Sequence, residues 1–186
     1  MSLFPKPYAD RVARLRVTTG FLLALAFAWF SQPDVRSLAW GLPLSLVGLL
    51  LRGWAAGHLE KNIRLADSGP YAFVRNPLYI GTLLVAAGLL VASQRWVLAF
   101  LFVAMFGLIY LPVIELEEQH LSNLFPEFAQ YAKRVPALWP AWSGSTGAHR
   151  SFQWSLYVRN REYQALLGFL TGTALLIAKV MVLPSR

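Results

Sequence analysis

Three carboxylates close a long apolar stretch of this sequence: Glu115, Glu117 and Glu118, followed by His120. Acidic groups at the C-terminal end of a helix face its negative pole, so a cationic partner is expected beside them. Two readings meet that need: a solvated helix paired with nearby Arg and Lys, or a site for a cationic or hydroxyl-bearing ligand. Glu117-x-x-His120 also matches half of a di-iron carboxylate motif, which requires a second copy and two further Glu. The only other histidines are His58 and His149, and no second copy occurs, so no metal site is expected. With no Cys in the chain, a disulfide scaffold, a zinc finger and a thiol nucleophile are excluded.

A second set of candidates lies earlier, in Gly69-Pro70-Tyr71-Ala72-Phe73-Val74-Arg75-Asn76-Pro77-Leu78-Tyr79-Ile80-Gly81. Gly-Pro marks a turn, and Asn76-Pro77 reads as the N-cap and first residue of a helix. A helix start also offers free N–H groups and positive potential. With Arg75 beside it, the turn is equally readable as a cap or as a seat for a carboxylate or phosphate. His58, with Lys61 and Asn62 nearby, reads as a hydrogen-bonded packing residue that lines the same region. No G-x-G-x-x-G, P-loop or G-x-S-x-G element is present, so any cofactor has to sit among helix ends.

The elements that would position these groups are membrane spans. Of 186 residues, 56% are hydrophobic and only 14% charged, and the mean hydropathy is +0.48, where ordinary globular proteins carry roughly 25% charge. Spanning helices need about 20 apolar residues, and five stretches qualify or nearly so: 14–31, 38–58, 77–93, 96–114 and 163–183. The first carries no small-x-small cleavage site and is followed by further spans, so it reads as a span rather than a cleaved signal. Only Gln94 and Arg95 separate the third and fourth, which predicts a helical hairpin. The expected fold is an all-α integral membrane protein of about five spans, one membrane domain over 1–186, with polar segments at 59–81 and 115–142. Gly53-x-x-x-Gly57 and Gly168-x-x-x-Gly172 read as helix-packing pairs. The stretch 143–161 reads as an interfacial anchor.

Charge sets the expected orientation. The net charge is +8. With an internal N-terminus, 13 of the 17 Lys and Arg fall inside, leaving Arg36, Arg95, Lys179 and Arg186 outside. Eight of the nine acidic residues also fall inside, with Asp34 the exception. Six tryptophans (Trp29, Trp40, Trp96, Trp139, Trp142 and Trp154) fall near span ends, as an aromatic belt does. The positive charge is therefore a topology signal rather than a nucleic-acid surface; the expected location is the cell (inner) membrane, with the N-terminus and the site on the cytoplasmic face.

Together the two polar segments resemble the membrane methyltransferase family that includes isoprenylcysteine carboxyl methyltransferase and the phospholipid N-methyltransferases. The resemblance runs over about residues 50–140. It rests on Gly69, Tyr71, Arg75, Asn76, Pro77, Tyr79 and Gly81 before the hairpin, and on Glu117, Glu118, Leu121, Phe125, Phe128, Tyr131 and Pro140 after it. The position after Arg75 is Asn where well-known members carry His, and Asn cannot carry a proton at neutral pH. The resemblance implies an S-adenosylmethionine-dependent enzyme acting on a lipid-like or isoprenoid-like substrate. It makes Arg75, Glu117 and Arg134 the catalytic candidates. Tyr71, Arg75, Asn76, Pro77, Tyr79, Gly81, Glu117 and Glu118 are the cofactor-binding candidates. Membrane sterol reductases share the family fold and use a nicotinamide cofactor, so an NADPH-dependent reductase is one alternative and a non-enzymatic membrane protein another.

Overall fold

The computed structural model describes residues 4–140 and 150–182. His149, Trp142, Arg186 and the first part of the stretch read as an interfacial anchor lie outside the described residues. The described chain is built of helices joined by turns and loops, with no strand among the described residues. Eight α-helices follow in order: α1 Lys6–Phe30, α2 Val35–Ala56, α3 Pro77–Ser93, α4 Trp96–Met105, α5 Leu111–Leu124, α6 Phe128–Arg134, α7 Trp154–Arg159 and α8 Tyr163–Val182. A 3-10 turn, Gly69–Ala72, precedes α3, and one π turn, Phe106–Tyr110, joins α4 to α5. Four helices are long and apolar enough to cross a membrane: α1, α2, the continuous rod Trp96–Leu124, and α8. α3 is apolar but shorter. The chain is an all-α integral membrane protein.

The described residues form two compact units. One is drawn from Met1–Leu44, Ala86–His120 and Leu170–Arg186, the other from Ser45–Val85 and Leu121–Phe169.

In the first unit, α1 starts at Lys6 rather than near residue 14. Pro5 precedes it and Pro7 lies in its first turn, where a missing N–H costs nothing, so the helix runs on through Arg11, Arg14 and Arg16. α2 starts at a reciprocal cap: Ser37 N donates to Asp34 Oδ1 at 2.6 Å and Asp34 N to Ser37 Oγ at 3.0 Å. These bonds, the Ser37 N–H first and the Gln94 side chain next, hold the Asp34 carboxyl below the ordinary carboxylate range. The hairpin turn puts Gln94 at φ 51°. Gly41 lies against Gly88 O and Ala92, with no room for a Cβ. Lys179 Nζ donates to Trp29 O at 3.2 Å and Ser31 O at 2.8 Å, closing the C-terminus of α1.

The rod that carries the three carboxylates has a built-in irregularity. Pro112 has no N–H to return to Leu108 O, four residues back. Tyr8 Oη on α1 donates to that carbonyl instead, at 2.6 Å. The π turn beside it stacks Phe102, Phe106 and Tyr110, with ring centroids 6.2 and 5.8 Å apart.

In the second unit, Gly48 of α2 lies on Gly81 O and Val85 N of α3, where an added Cβ would come within 2.6 Å of either. The close helix contact thus runs through Gly41, Gly48 and Gly81 rather than through the two Gly-x-x-x-Gly pairs. A Cβ at Gly168 or Gly172 would meet nothing within 4 Å. Gly53 and Gly57 face the rings of Tyr157 and Phe152, not another helix backbone. The apolar core of this unit is Leu65, Phe125, Phe128, Tyr131 and Val135, with Leu121 and Ala132 against it.

Candidate functional site

The turn read as an anion seat lies in the second unit, and most of its mapped donors are committed. Gly69 takes φ 59°, a left-handed conformation that glycine tolerates without strain. Asn76 O accepts from Tyr79 N at 3.1 Å and Ile80 N at 3.2 Å, which starts α3 at Pro77. Arg75 N donates to Pro136 O at 2.9 Å and Asn76 N to Ala137 O at 3.2 Å. The Asn76 side chain adds a bond from Nδ2 to Ala137 O at 3.2 Å.

Arg75 reaches further. Its Nη1 donates to Ala132 O at 2.8 Å and Val135 O at 3.2 Å. The last carbonyls of a helix lack intrahelical donors, and a cation there also meets the negative pole. Arg75 thereby closes the end of α6. Tyr131 Oη, buried, donates to Tyr71 O at 2.7 Å. The turn and the later part of the second motif, on α6, thus hold each other within this unit. Tyr71, Asn76, Pro77 and Gly81 are buried, Arg75 and Tyr79 half-buried, and Arg134, at the end of α6, exposed.

The C-terminus of α2 is closed by a different set of donors. Its backbone ends with Gly57 N to Gly53 O and His58 N to Ala55 O, which leaves Trp54 O for the His58 ring. His58 Nδ1 lies 2.9 Å from Trp54 O, and Nε2 lies 3.2 Å from Arg150 O. Gln153 N donates to Gly57 O at 3.0 Å. Asn160 Nδ2 donates to Ala56 O at 2.9 Å and Leu59 O at 2.8 Å. The segment 150–160 is thus strapped onto the helix end. Phe152 occupies the space a Cβ on Gly57 would need, and the His58 ring stands within 2.8 Å of one on Gly69.

One turn earlier, Arg52 holds the same strap by charge. Its Nε and Nη2 meet both oxygens of Glu162 at 2.5 and 2.9 Å. Its Nη1 bonds Leu78 O at 3.2 Å and Thr82 Oγ1. Glu162 is only 6% exposed. An arginine inside an apolar span requires such a partner, a signal present in the sequence. His58 gave no comparable signal of its second carbonyl, 92 residues away.

Glu117 and Glu118 fall in the first unit. α5 runs on to Leu124, so the carboxylates lie inside a helix and not at its C-terminus, and the expected conflict with the helix pole, confined to the last turn, does not arise. Arg16 Nη1 of α1 stands 3.7 Å from Glu117 Oε1, both side chains about half exposed (41% and 50%). Gln119 Nε2 donates to Glu115 Oε1 at 3.3 Å. A carboxylate accepts about four hydrogen bonds, so one long contact leaves Glu117 capacity for an ammonium or hydroxyl. Among the described residues no group of three or more His, Asp or Glu gathers as metal ligands.

The family model for phospholipid methyltransferase matches residues 41–127, a stretch that takes in both the turn and the three carboxylates. Two curated relatives are each 36% identical. The cobalt-zinc-cadmium resistance protein CzcN of Cupriavidus metallidurans aligns over 140 residues, 70% of this chain and 63% of its own length. The nickel-cobalt-cadmium resistance protein NccN of Alcaligenes xylosoxydans xylosoxydans aligns over 114 residues, 60% of this chain and 52% of its own. The protein-S-isoprenylcysteine O-methyltransferase of Schizosaccharomyces pombe is 27% identical over 138 residues, 71% of this chain and 58% of its own. The chain thus spans less than two thirds of each of these relatives. No solved structure matches it. The family match and the methyltransferase relative agree with the motifs on either side of the hairpin and support the integral membrane methyltransferase family for this chain.

Proposed function

We propose that this chain transfers a methyl group from S-adenosylmethionine to a lipid-like or isoprenoid-like substrate at the cytoplasmic face of the cell membrane. The observation that carries the reading is the family match over residues 41–127, which spans the turn and the carboxylates together. One carboxylate fits part of the cofactor: a single long contact leaves Glu117 acceptor capacity for an ammonium or ribose hydroxyl. When bound, the cofactor supplies the methyl group on a sulfonium whose leaving form is a neutral thioether.

This chain's residues would do the rest. Glu117 and Glu118 accept from the ammonium or the ribose. Asn76, Pro77 and Gly81 shape the start of α3, where the mapped N–H donors are taken up within the fold. Tyr71 and Tyr79 border the adenosine and sulfonium. Arg134, exposed, orients an anionic group of the substrate, and Arg75 fixes the turn through the end of α6. Such a transfer needs no acid for its leaving group. The work is orientation and exclusion of water, for which orientation alone supplies roughly 7–11 kcal/mol. Asn76 provides no base, which favours a nucleophile that is already deprotonated.

A second reading rests on the printed names of the two 36% identical relatives: a part in resistance to divalent metal ions, without catalysis. Labelled-methyl transfer to membrane lipid extract separates the two. The enzymatic reading expects incorporation by the wild type and its loss in Glu117→Gln, Glu118→Gln or Tyr79→Phe. Metal tolerance that survives all three substitutions, with no incorporation by any protein, would favour the second.

A further inference from the structure

The two ring nitrogens of His58 both face carbonyl oxygens, Trp54 O at 2.9 Å and Arg150 O at 3.2 Å. A carbonyl only accepts. A neutral imidazole has one N–H, so either tautomer donates to one carbonyl and turns a lone pair on the other; only the imidazolium donates to both. The residue is 7% exposed, and water has little access to replace the missing bond. It also lies just past the C-terminus of α2, where the negative pole favours a cation. Its surroundings leave little freedom to turn away: Trp54 and Phe152 meet it edge-on, with ring centroids 6.2 Å away in each case, and Gly69 lies directly against it.

We propose that His58 is a proton-operated clasp, a positioning residue whose imidazolium fastens the segment 150–153 to the end of α2 and whose neutral form releases it. The elements packed against the ring are the end of α2, the segment 150–153 and the loop that leads to Gly69. Their charged groups are Glu60 and Lys61 just past the helix end, Arg64, which pairs with Glu60, and Asp67 in the loop before Gly69, and Arg150 on the strap. The sign follows from the donor count. The clasp is closed while the imidazole is protonated and open once it is neutral; the range to scan is that in which histidines in general change charge, about pH 5–8.

The test is amide hydrogen exchange on the full chain in lipid nanodiscs across that range, corrected for the intrinsic rate. The reporter is the Gln153 N–H, bonded to Gly57 O at 3.0 Å; the control is the Arg75 N–H, bonded to Pro136 O at 2.9 Å, where no imidazole takes part. Gln153 protection is expected to fall at least about fivefold from the acid to the alkaline end, the size expected for one buried hydrogen bond left unmade, while Arg75 protection stays level. In His58→Gln the Gln153 protection is expected to lose its pH dependence. Level Gln153 protection in the wild type, or a pH dependence that survives in His58→Gln, would overturn the proposal. Should that variant fail to fold, the nitrogen-15 spectrum of wild-type His58 decides. Doubly protonated nitrogens at the acid end that lose a proton in step with Gln153 protection support the clasp; a single neutral tautomer throughout refutes it. Neither outcome depends on methyl transfer.

Discussion

Two stretches of the second unit hold a neighbouring segment by side-chain donors, and the donors differ in kind. At the turn 69–77, the donors are the Arg75 guanidinium, the Tyr131 hydroxyl and the Asn76 amide. Guanidinium, phenol and amide groups as a class keep their charge near neutral pH. At the end of α2, the strap 150–162 is held by one permanent ion pair, Arg52 to Glu162, one amide, Asn160, and one imidazole. The first closure is fixed across physiological pH; the second contains one member that a proton switches. Residues of similar polarity in the sequence therefore serve a static joint in one place and an adjustable one in the other.

The comparison is broken most forcefully at Arg52 and Glu162. Glu162→Gln leaves a largely buried guanidinium without its counter-ion, and is expected to cost about 3–5 kcal/mol, read as a lowered thermal midpoint in detergent. The double change to Met at both positions should recover most of that loss. A ring stands where Gly57→Ala would place a methyl, so that variant should cost about 2–3 kcal/mol by overpacking and expose the Gln153 amide without touching Arg75. Tyr131→Phe removes the hydroxyl that donates to the buried Tyr71 O. It is expected to cost about 1–2 kcal/mol and to loosen the Arg75 amide while leaving Gln153 unchanged. If Gly57→Ala and Tyr131→Phe loosen the same amides, the two closures are one.

Smaller effects sharpen the picture. Gly168→Ala and Gly172→Ala place a methyl in open space within α8, so each should raise stability by roughly 0.5–1 kcal/mol. A loss at either would show that a partner covers that face. The smallest effect concerns Asp34, whose carboxyl is held below its ordinary range by the Ser37 N–H and the Gln94 side chain. Because the group titrates lower when folded than unfolded, it adds stability above the unfolded value, about 3.9, and loses that stability as pH falls through the folded one. Asp34→Asn keeps the cap and should abolish this acid-side slope in the thermal midpoint.

Much of the scaffold was legible in the sequence. Apolar runs mark the spanning helices because lipid leaves the backbone no other partner, and Gln94-Arg95 marks the hairpin because nothing longer separates two such runs. Asn76-Pro77 marks the start of α3. The reach of α1 back to Lys6 and of α5 on to Leu124 was not legible, because amphipathic turns continue a helix beyond its apolar stretch. Nor was the Gly41, Gly48 and Gly81 contact. Its glycines lie seven apart on one helix and meet another helix, so no local pattern announces it. Arg75 illustrates the wider limit. Its type and place read equally as an anion ligand or a cap, and only the carbonyls of Ala132 and Val135, nearly sixty residues on, show what its Nη1 does.

The central proposal is that the chain uses S-adenosylmethionine as a methyl donor, and direct cofactor binding tests it. Calorimetric titration of the purified protein with S-adenosylmethionine, S-adenosylhomocysteine and NADPH in parallel should give saturable heat for the two adenosyl compounds and none for NADPH, with affinity lost in Glu118→Gln. Binding of NADPH alone, or no heat from any of the three with a sample shown to be folded, would contradict it.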